Sequence, residues 1–413
     1  MRPVSLIPLL SLASQAWAAP APAPAPAPGD DAATQDGWQT AQYDAIIVGG
    51  GPAGLAALSA LARVRRNVLL IDSGEYRNQP TRHMHDVLGF DGVTPAYYRW
   101  AAREQLSYYD TVSWTNGTVS DIEPRENNTY FSVKTEGSST AMTARKIVLA
   151  TGLRDLLPDT PGIKENWGSG IFWCPWCDGH EHKDQQLGLI DDLNSIPGLV
   201  REMQTLNKDI VAFVNGTDSP ETRLLADEAM PRWEDYLKLK NVAVYNQTIT
   251  RVERLRSATP GDPSLPTYPE LDLFRVHLDD GTTVERSAFL TGYGDEQQSD
   301  VGEKMGVRLD GGRLAADPTK GLQTNIFGVY AIGDANADNV TNVPHALFSG
   351  KRTGVFLHVQ LERETAAAEL AAVPEGSLDE RDLDGHDMQA LWNRMNGEEG
   401  DILYVREAFE DSL

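Results

Sequence analysis

Cysteine is nearly missing from this 413-residue chain, which has only two. That excludes a small scaffold stapled by disulfides. Positive charge is also scarce. There are 36 Lys and Arg against 60 Asp and Glu, giving a formal net charge of −24 at pH 7. So acidic a surface repels phosphate backbones, which excludes nucleic acid or an anionic membrane as the main partner. What remains is an ordinary globular balance of 41% hydrophobic and 23% charged residues. The length is enough for two to three domains, each with its own core.

The first residues read as an address rather than as fold. Arg2 precedes a short apolar run, Val4 to Leu12, and Ala16-Trp17-Ala18 resembles a cleavage site. The run is shorter than the roughly 20 residues that a membrane span needs. Residues 1–18 are therefore expected to be a secretory signal peptide, with a poorly ordered tail as the plain alternative. Ala-Pro repeated five times from Ala19 to Pro28 favours an extended spacer, so residues 19–42 are read as a linker. Sequons at Asn116, Asn127, Asn215, Asn246 and Asn339 agree with export and a glycosylated surface. Asn339 lies in a segment expected to face a cofactor and is a poor candidate for a glycan.

Chemistry first appears after Asp44-Ala-Ile-Ile-Val48. That apolar run ends in Gly49-Gly-Gly51-Pro52-Ala53-Gly54, an Ala/Leu-rich segment follows to about Val64, and Asn67 to Ile71 leads into Asp72. The order is strand, glycine turn, helix, strand, acid. Gly49 permits the tight turn, Gly51 lets backbone approach a pyrophosphate, and Gly54 lets helix and strand pack closely. Asp72 is placed for ribose hydroxyls. This full context predicts a dinucleotide site, although the motif alone does not choose between FAD and NAD.

Both cysteines lie in Cys174-Pro-Trp-Cys177-Asp178-Gly-His180-Glu181. Three readings compete. A structural disulfide would close so short a loop that it gains little entropy. A metal site could draw on Cys174, Cys177, His180 and His182, but Pro175 and Trp176 are bulky for a zinc knuckle and no second Cys-x-x-Cys exists. Redox exchange suits the spacing best, because such a pair forms a readily reversed disulfide and often holds one thiol of lowered pKa. No metal is expected.

The C-terminal half carries Ile326 to Asp334, a buried-strand pattern ending in Gly333-Asp334. With this segment, with Ala150-Thr151-Gly152 and with a second Thr291-Gly292, the chain resembles the pyridine nucleotide-disulfide oxidoreductases, and among them the thioredoxin reductase-like flavoproteins. The resemblance runs from roughly Asp44 to Leu370 and is strongest at Cys-x-x-Cys-Asp-Gly. It implies FAD, held by Gly49, Gly51, Pro52, Ala53, Gly54, Asp72, Thr151, Gly152, Gly333 and Asp334. It further implies that Cys177 is the flavin-proximal thiol, that Cys174 exchanges with substrate, and that Asp178 is an acid/base. His180 and Glu181 depart from the reductases toward an oxidase-like branch. In that branch His345 stands where polar residues approach the flavin, the alternative being an ordinary histidine at a helix start. Arg77-Asn-Gln-Pro and His83-Met-His85 resemble the FAD-adjacent segment, or else form a loop with no chemistry.

A second motif that such reductases carry is absent. The matching strand, Gln186 to Ile190, runs into Asp191-Asp192-Leu-Asn-Ser-Ile196, with carboxylates where a phosphate would sit and no glycine. The next strand, Asp209 to Val214, ends in Asn215-Gly-Thr217, without the arginine pair that NADPH-users place there. NADPH is therefore expected not to bind productively. Outside the cell, thiols and dioxygen are available, so electrons are expected to run from small thiols to the Cys174–Cys177 disulfide, to FAD and to O2.

The expected fold is α/β, with two Rossmann-like (FAD/NAD(P)-binding) three-layer domains of the thioredoxin reductase type. Its first FAD-binding part is 43–160, the NAD(P)-like domain with the cysteines 161–290, and the second FAD-binding part 291–372. Ser257 to Pro269 reads as a surface loop. An acidic extension, 373–413, carries Met388, Leu391, Trp392 and Met395 at helical spacing. It is either a solvated cap or part of a dimer contact, and the resemblance implies a homodimer. The chain also resembles secreted fungal sulfhydryl oxidases acting on glutathione and other small thiols. Rivals are a gliotoxin-oxidase-like dithiol oxidase, a true thioredoxin reductase, and a flavin-binding scaffold without activity.

Overall fold

A computed structural model describes residues 40–262 and 265–374. The expected signal peptide, nearly all of the expected Ala/Pro linker and the acidic extension from residue 375 lie outside the described residues.

The first half alternates buried strands and helices. Strand β1 (Tyr43–Val48) leads to helix α1 (Pro52–Ala62) and strand β2 (Val68–Asp72). After a long loop come α2 (Pro95–Leu106) and β3 (Val112–Asn116), then β4 (Val119–Arg125), β5 (Tyr130–Thr135) and β6 (Met142–Leu149). The sheet order is β3-β2-β1-β6-β5-β4, with β1, β2, β3 and β6 parallel and β4 and β5 antiparallel. Strand alternation sorts the core between the two faces of the sheet. Ala45 and Ile47 pack with α1, while Ile46 and Val48 pack with Ile122, Phe131 and Leu314 on the other side.

The chain leaves through β7 (Leu153–Asp155) and builds a second α/β layer system. Helix α3 (Ile163–Asn166), β8 (Ile171–Phe172) and α4 (Pro175–Asp178) come first. Next are β9 (Leu187–Ile190), α5 (Ile196–Met203), β10 (Ile210–Phe213), α6 (Pro220–Ala229), α7 (Trp233–Leu239) and β11 (Ala243–Tyr245). Strands β12 (Ile249–Arg256), β13 (Leu273–Leu278) and β14 (Thr283–Arg286) precede β15 (Ala288–Thr291). The order β11-β10-β9-β15-β8 is parallel throughout. Leu187, Leu189, Ile210 and Ala212 pack on α5 and α7, whereas Val211, Phe213 and Phe289 pack on the antiparallel β12-β13-β14 sheet. Helices, a parallel sheet and a small antiparallel sheet thus form three layers.

The return passes through β16 (Asp295–Gln297), which pairs antiparallel with β7, so two adjacent strands join the halves. Helix α8 (Val301–Lys304), the β17 (Leu309–Asp310) and β18 (Arg313–Leu314) pair, and β19 (Val329–Ala331) follow. Strand β19 pairs with β6 in the first sheet. The 29-residue α9 (Val343–Ala371) then lies along α1, where Gly350 and Gly354 allow the close approach: a Cβ on Gly350 would overlap the Ala53 carbonyl. Among the described residues, no helix is long and apolar enough to cross a membrane.

The described residues between Ser257 and Pro269 are largely exposed, but the end of this segment is not a free surface loop. Thr267 donates to Glu181, the Tyr268 hydroxyl lies 3.0 Å from His83 Nε2, and a Cβ on Gly92 would overlap Pro266. The loop closes on the β2–α2 connection because Glu270 and Asp272, just beyond it, are buried partners of Arg82.

Candidate active site

A cavity of about 1110 Å³ runs from the glycine turn of the first half to the cysteines of the second. At the turn, Gly49 has φ 113° and a side chain there would strike the Ala150 carbonyl. A Cβ on Gly54 would overlap the Gly49 carbonyl oxygen, while one on Gly51 would meet open space. Only the middle glycine therefore faces room for a ligand, and Pro52 starts α1 directly behind it. Gly333, with φ 63°, comes within contact of Ala53, so the late Gly-Asp meets the first helix. Its N–H donates to Ser349 Oγ of α9 at 2.9 Å.

These residues fit FAD. Thr151 Oγ1 is buried without a hydrogen-bond partner on the cavity wall, and Gly152 beside it has φ 70° and nothing near its Cβ position. Asp334 sits under Arg77, whose guanidinium also reaches Asp155 at 2.6 Å and Asp295 at 3.2 Å. Burial raises the Asp334 pKa against the pull of Arg77. Burial likewise opposes the charge on Arg77, but Asp155 and Asp334 outweigh it and hold the proton more firmly. Arg77 thereby ties the FAD-adjacent loop to both crossing strands.

Two residues differ from expectation. Asp72 does not line the cavity. Its buried carboxylate accepts from Tyr76, Arg103 and the Gly74 N–H (3.0 Å), and it lies against Gly50. It braces the turn instead of pointing at a ribose. His345 does not line the cavity either, because its Nε2 lies 2.7 Å from Asp338 Oδ2 while its N–H is capped by Asn342. The helix-start reading describes its place better than a flavin-facing one. Asn339, by contrast, is exposed on the cavity lining, and the other four sequon asparagines are exposed elsewhere.

Cys174 and Cys177 form a disulfide, with Cα atoms 5.2 Å apart, across the first turn of α4. Both line the cavity; between them Trp176 is 75% exposed. The alternative metal set is not assembled. His180 bonds Lys183 at the surface, and His182 is buried, stacked on Phe172 with ring centroids 5.3 Å apart. Among the described residues no group of three or more His, Cys, Asp or Glu could hold a metal ion.

Asp178 follows Cys177 on the cavity wall, and its Oδ2 is sealed from solvent with no partner. Burial first, then the charges of Glu270 and Glu181, raises its pKa well above the usual carboxylate range, with Arg82 opposing. A carboxyl pushed toward its protonated form thus lies beside the redox pair. Behind it is a buried network that the sequence reading missed. Arg82 bonds Asp272 at 2.8 and 3.0 Å and also pairs with Glu270. Glu270 lies 3.6 Å from His83 Nδ1, and Glu181 lies 3.5 Å from His85 Nε2. Burial favours the protonated form of Glu270, but the His83 bond, Arg82 and His182 hold its pKa at about 2. The only advance signal was the His-x-His spacing at positions 83 and 85.

The corresponding turn of the second half is closed. Asp191 Oδ1 accepts the Asp192 N–H at 2.7 Å, its Oδ2 lies 2.6 Å from where a Gly292 Cβ would stand, and Leu193 donates to Thr217 Oγ1 at 3.1 Å. Burial raises the Asp191 pKa against hydrogen bonds from the Asp192 backbone, Ser195 and the Gly292 backbone.

Residues 43–350 match the family described as pyridine nucleotide-disulphide oxidoreductase. A "probable thioredoxin reductase" of Arthroderma benhamiae is 44% identical over 375 residues, covering 86% of this chain and 91% of the relative. The "thioredoxin reductase aclD" of Aspergillus oryzae is 30% identical, covering 71% and 88%. The crystal structure of an oxidoreductase from Agrobacterium tumefaciens aligns with a TM-score of 0.64 at 28% identity, covering 77% and 98%. Together with the glycine cradle and the paired cysteines, these findings place the chain in the pyridine nucleotide-disulphide oxidoreductase family, as an oxidoreductase of thioredoxin reductase-type fold with FAD as its cofactor.

Proposed function

We propose that the protein is an exported thiol oxidase that converts small thiols such as glutathione to disulfides and passes the electrons to dioxygen, giving hydrogen peroxide. The observation that carries this reading is the second nucleotide turn, in which Asp191 fills the space beside Gly292 and no glycine opens the backbone to a pyrophosphate. Without NADPH as donor, the thiol itself supplies the electrons.

A substrate thiolate attacks Cys174 Sγ. The substrate–Cys174 bond forms as the Cys174–Cys177 bond breaks, and Cys177 leaves as a thiolate. A second thiolate attacks the substrate sulfur, releasing the product disulfide and Cys174. FAD supplies, when bound, the two-electron relay between the dithiol and dioxygen. Asp178 keeps a proton beside Cys177 for the thiolate that forms there. The balance is two thiols plus O2 to one disulfide plus H2O2.

Oxygen uptake with glutathione tests the reading, and Cys177→Ser is expected to lower it at least 1,000-fold, on the order of the loss when a nucleophile is removed. Undiminished turnover in that variant overturns the electron path. The names of the relatives favour a second reading, a thioredoxin reductase. Anaerobic NADPH decides between them: rapid bleaching of the flavin overturns the oxidase reading.

A further inference from the structure

We propose that His83 is the base that takes the proton of the incoming thiol, with Glu270 behind it as a positioning residue. This rests on the reading that thiols reduce the Cys174–Cys177 pair. The thiolate is the attacking species, and an alkyl thiol is only a few per cent ionised near neutrality. A base within the cavity is therefore worth a large factor in rate.

The cavity wall that holds both cysteines offers few acceptors. Burial and neighbouring carboxylates push Asp178 toward its protonated form, Asp334 is committed to Arg77, Asp300 pairs with Lys304 and Glu75 accepts from Gln298, while Asp86 and Glu136 are exposed carboxylates. His345 is outside it. His83 and His85 line it, carried in by the β2–α2 loop with ring centroids 6.3 Å apart. The two rings differ in their partners. His85 has a carboxylate at each nitrogen, Asp91 at 3.4 Å and Glu181 at 3.5 Å. His83 has a carboxylate on one side only, Glu270 Oε1 at 3.6 Å from Nδ1, and the Tyr268 hydroxyl at 3.0 Å from Nε2. A hydroxyl both donates and accepts, so it tolerates a change of protonation that a carboxylate does not.

The thiol proton goes to His83 Nε2, and the Tyr268 hydroxyl turns from donor to acceptor. The thiolate pair forms the bond to Cys174 Sγ, and the electrons of the broken disulfide leave on Cys177. Glu270 stabilises the imidazolium so formed. Its charge is permanent because Arg82 and His182 support it from two further elements. The groups facing His83 are thus Glu270 and Tyr268 from the loop before β13 and His85 from its own loop, with Arg82 and His182 on Glu270 behind them.

The test uses the FAD-loaded full chain, reduced anaerobically by glutathione or by thionitrobenzoate, an aromatic thiol already ionised at pH 7. Flavin bleaching and the count of cysteine thiols trapped by N-ethylmaleimide are followed together. His83→Gln is expected to slow glutathione about 100-fold at pH 7, with the deficit closing as the pH approaches that of the ionised thiol, and to slow thionitrobenzoate less than about 3-fold. Glu270→Gln, which keeps the shape, is expected to move the acid limb of the glutathione rate profile to lower pH. Equal losses for both thiols at every pH, or no loss, overturn the proposal, as does an unmoved acid limb in Glu270→Gln. Failure of oxygen to reoxidise a thiol-reduced wild type overturns the oxidase reading alone, since the His83 comparison is made without oxygen.

Discussion

Two turns in this molecule have the same topology and opposite chemistry. Between β1 and α1 the backbone is stripped of side chains, with Gly51 facing open space and Gly54 pressed on Gly49. Between β9 and α5 the turn carries Asp191, which bonds its own backbone and occupies the space at Gly292. The second turn keeps its fold regardless, because Leu193, Ile196 and Val200 continue the core under it. The parallel sheet and its helices are stabilised by apolar burial, which a phosphate contributes nothing to. The fold of such a turn can thus persist without a side-chain-free backbone.

That contrast can be broken most severely by giving the first turn what the second has. Gly51→Asp places a carboxylate where the pyrophosphate approaches, and FAD affinity is expected to fall about 100-fold or more, read by flavin release on dialysis. Retention of FAD would show that Gly51 does not face the cofactor. Gly54→Ala drives a Cβ into the Gly49 carbonyl, so thermal or denaturant unfolding should show a loss of about 1–3 kcal/mol even without FAD. In the second turn, Asp191→Gly removes the bond to the Asp192 N–H, costing roughly 1 kcal/mol. It should not restore reduction by NADPH, since Asn215-Gly-Thr217 offers no arginine. Fast bleaching in that variant would show that the carboxylate alone closed the site.

The smallest effect concerns pH. Asp178 has a raised pKa in the folded chain and an ordinary one when unfolded. The folded protein therefore holds a proton that the unfolded chain gives up above about pH 4. The stability contributed by the protonated group is present below that point and is lost as pH rises through the folded value. Asp178→Asn should raise the melting temperature by roughly 2–4 °C at pH 8 and leave it unchanged near pH 4. An equal gain at both would place the effect elsewhere.

The glycine turn and the cysteine pair were legible in the sequence because each is a local constraint on contiguous residues. Pro52, Ala53 and Gly54 had to follow a strand, and Cys174 and Cys177 close their ring across two residues. The place of Asp72 was not legible, because its partners Tyr76 and Arg103 come from a loop and a helix beyond the strand. Nor was that of His345, whose ring turns to Asp338 across the loop before α9. The loop end at Thr267 and Tyr268 read as surface because composition does not reveal what a polar segment faces.

By itself the sequence determined the α/β alternation, the flavin cradle and the redox pair, since periodicity and turn chemistry act over a few residues. Only the tertiary structure decided which acids and bases stand on the cavity wall and behind it. Arg82, His83, His85, Glu181, Glu270 and Asp272 come from segments up to 190 positions apart, and burial together makes their charges interdependent. Strong coupling of that kind needs the low dielectric of a closed interface. That interface forms only when the two halves meet.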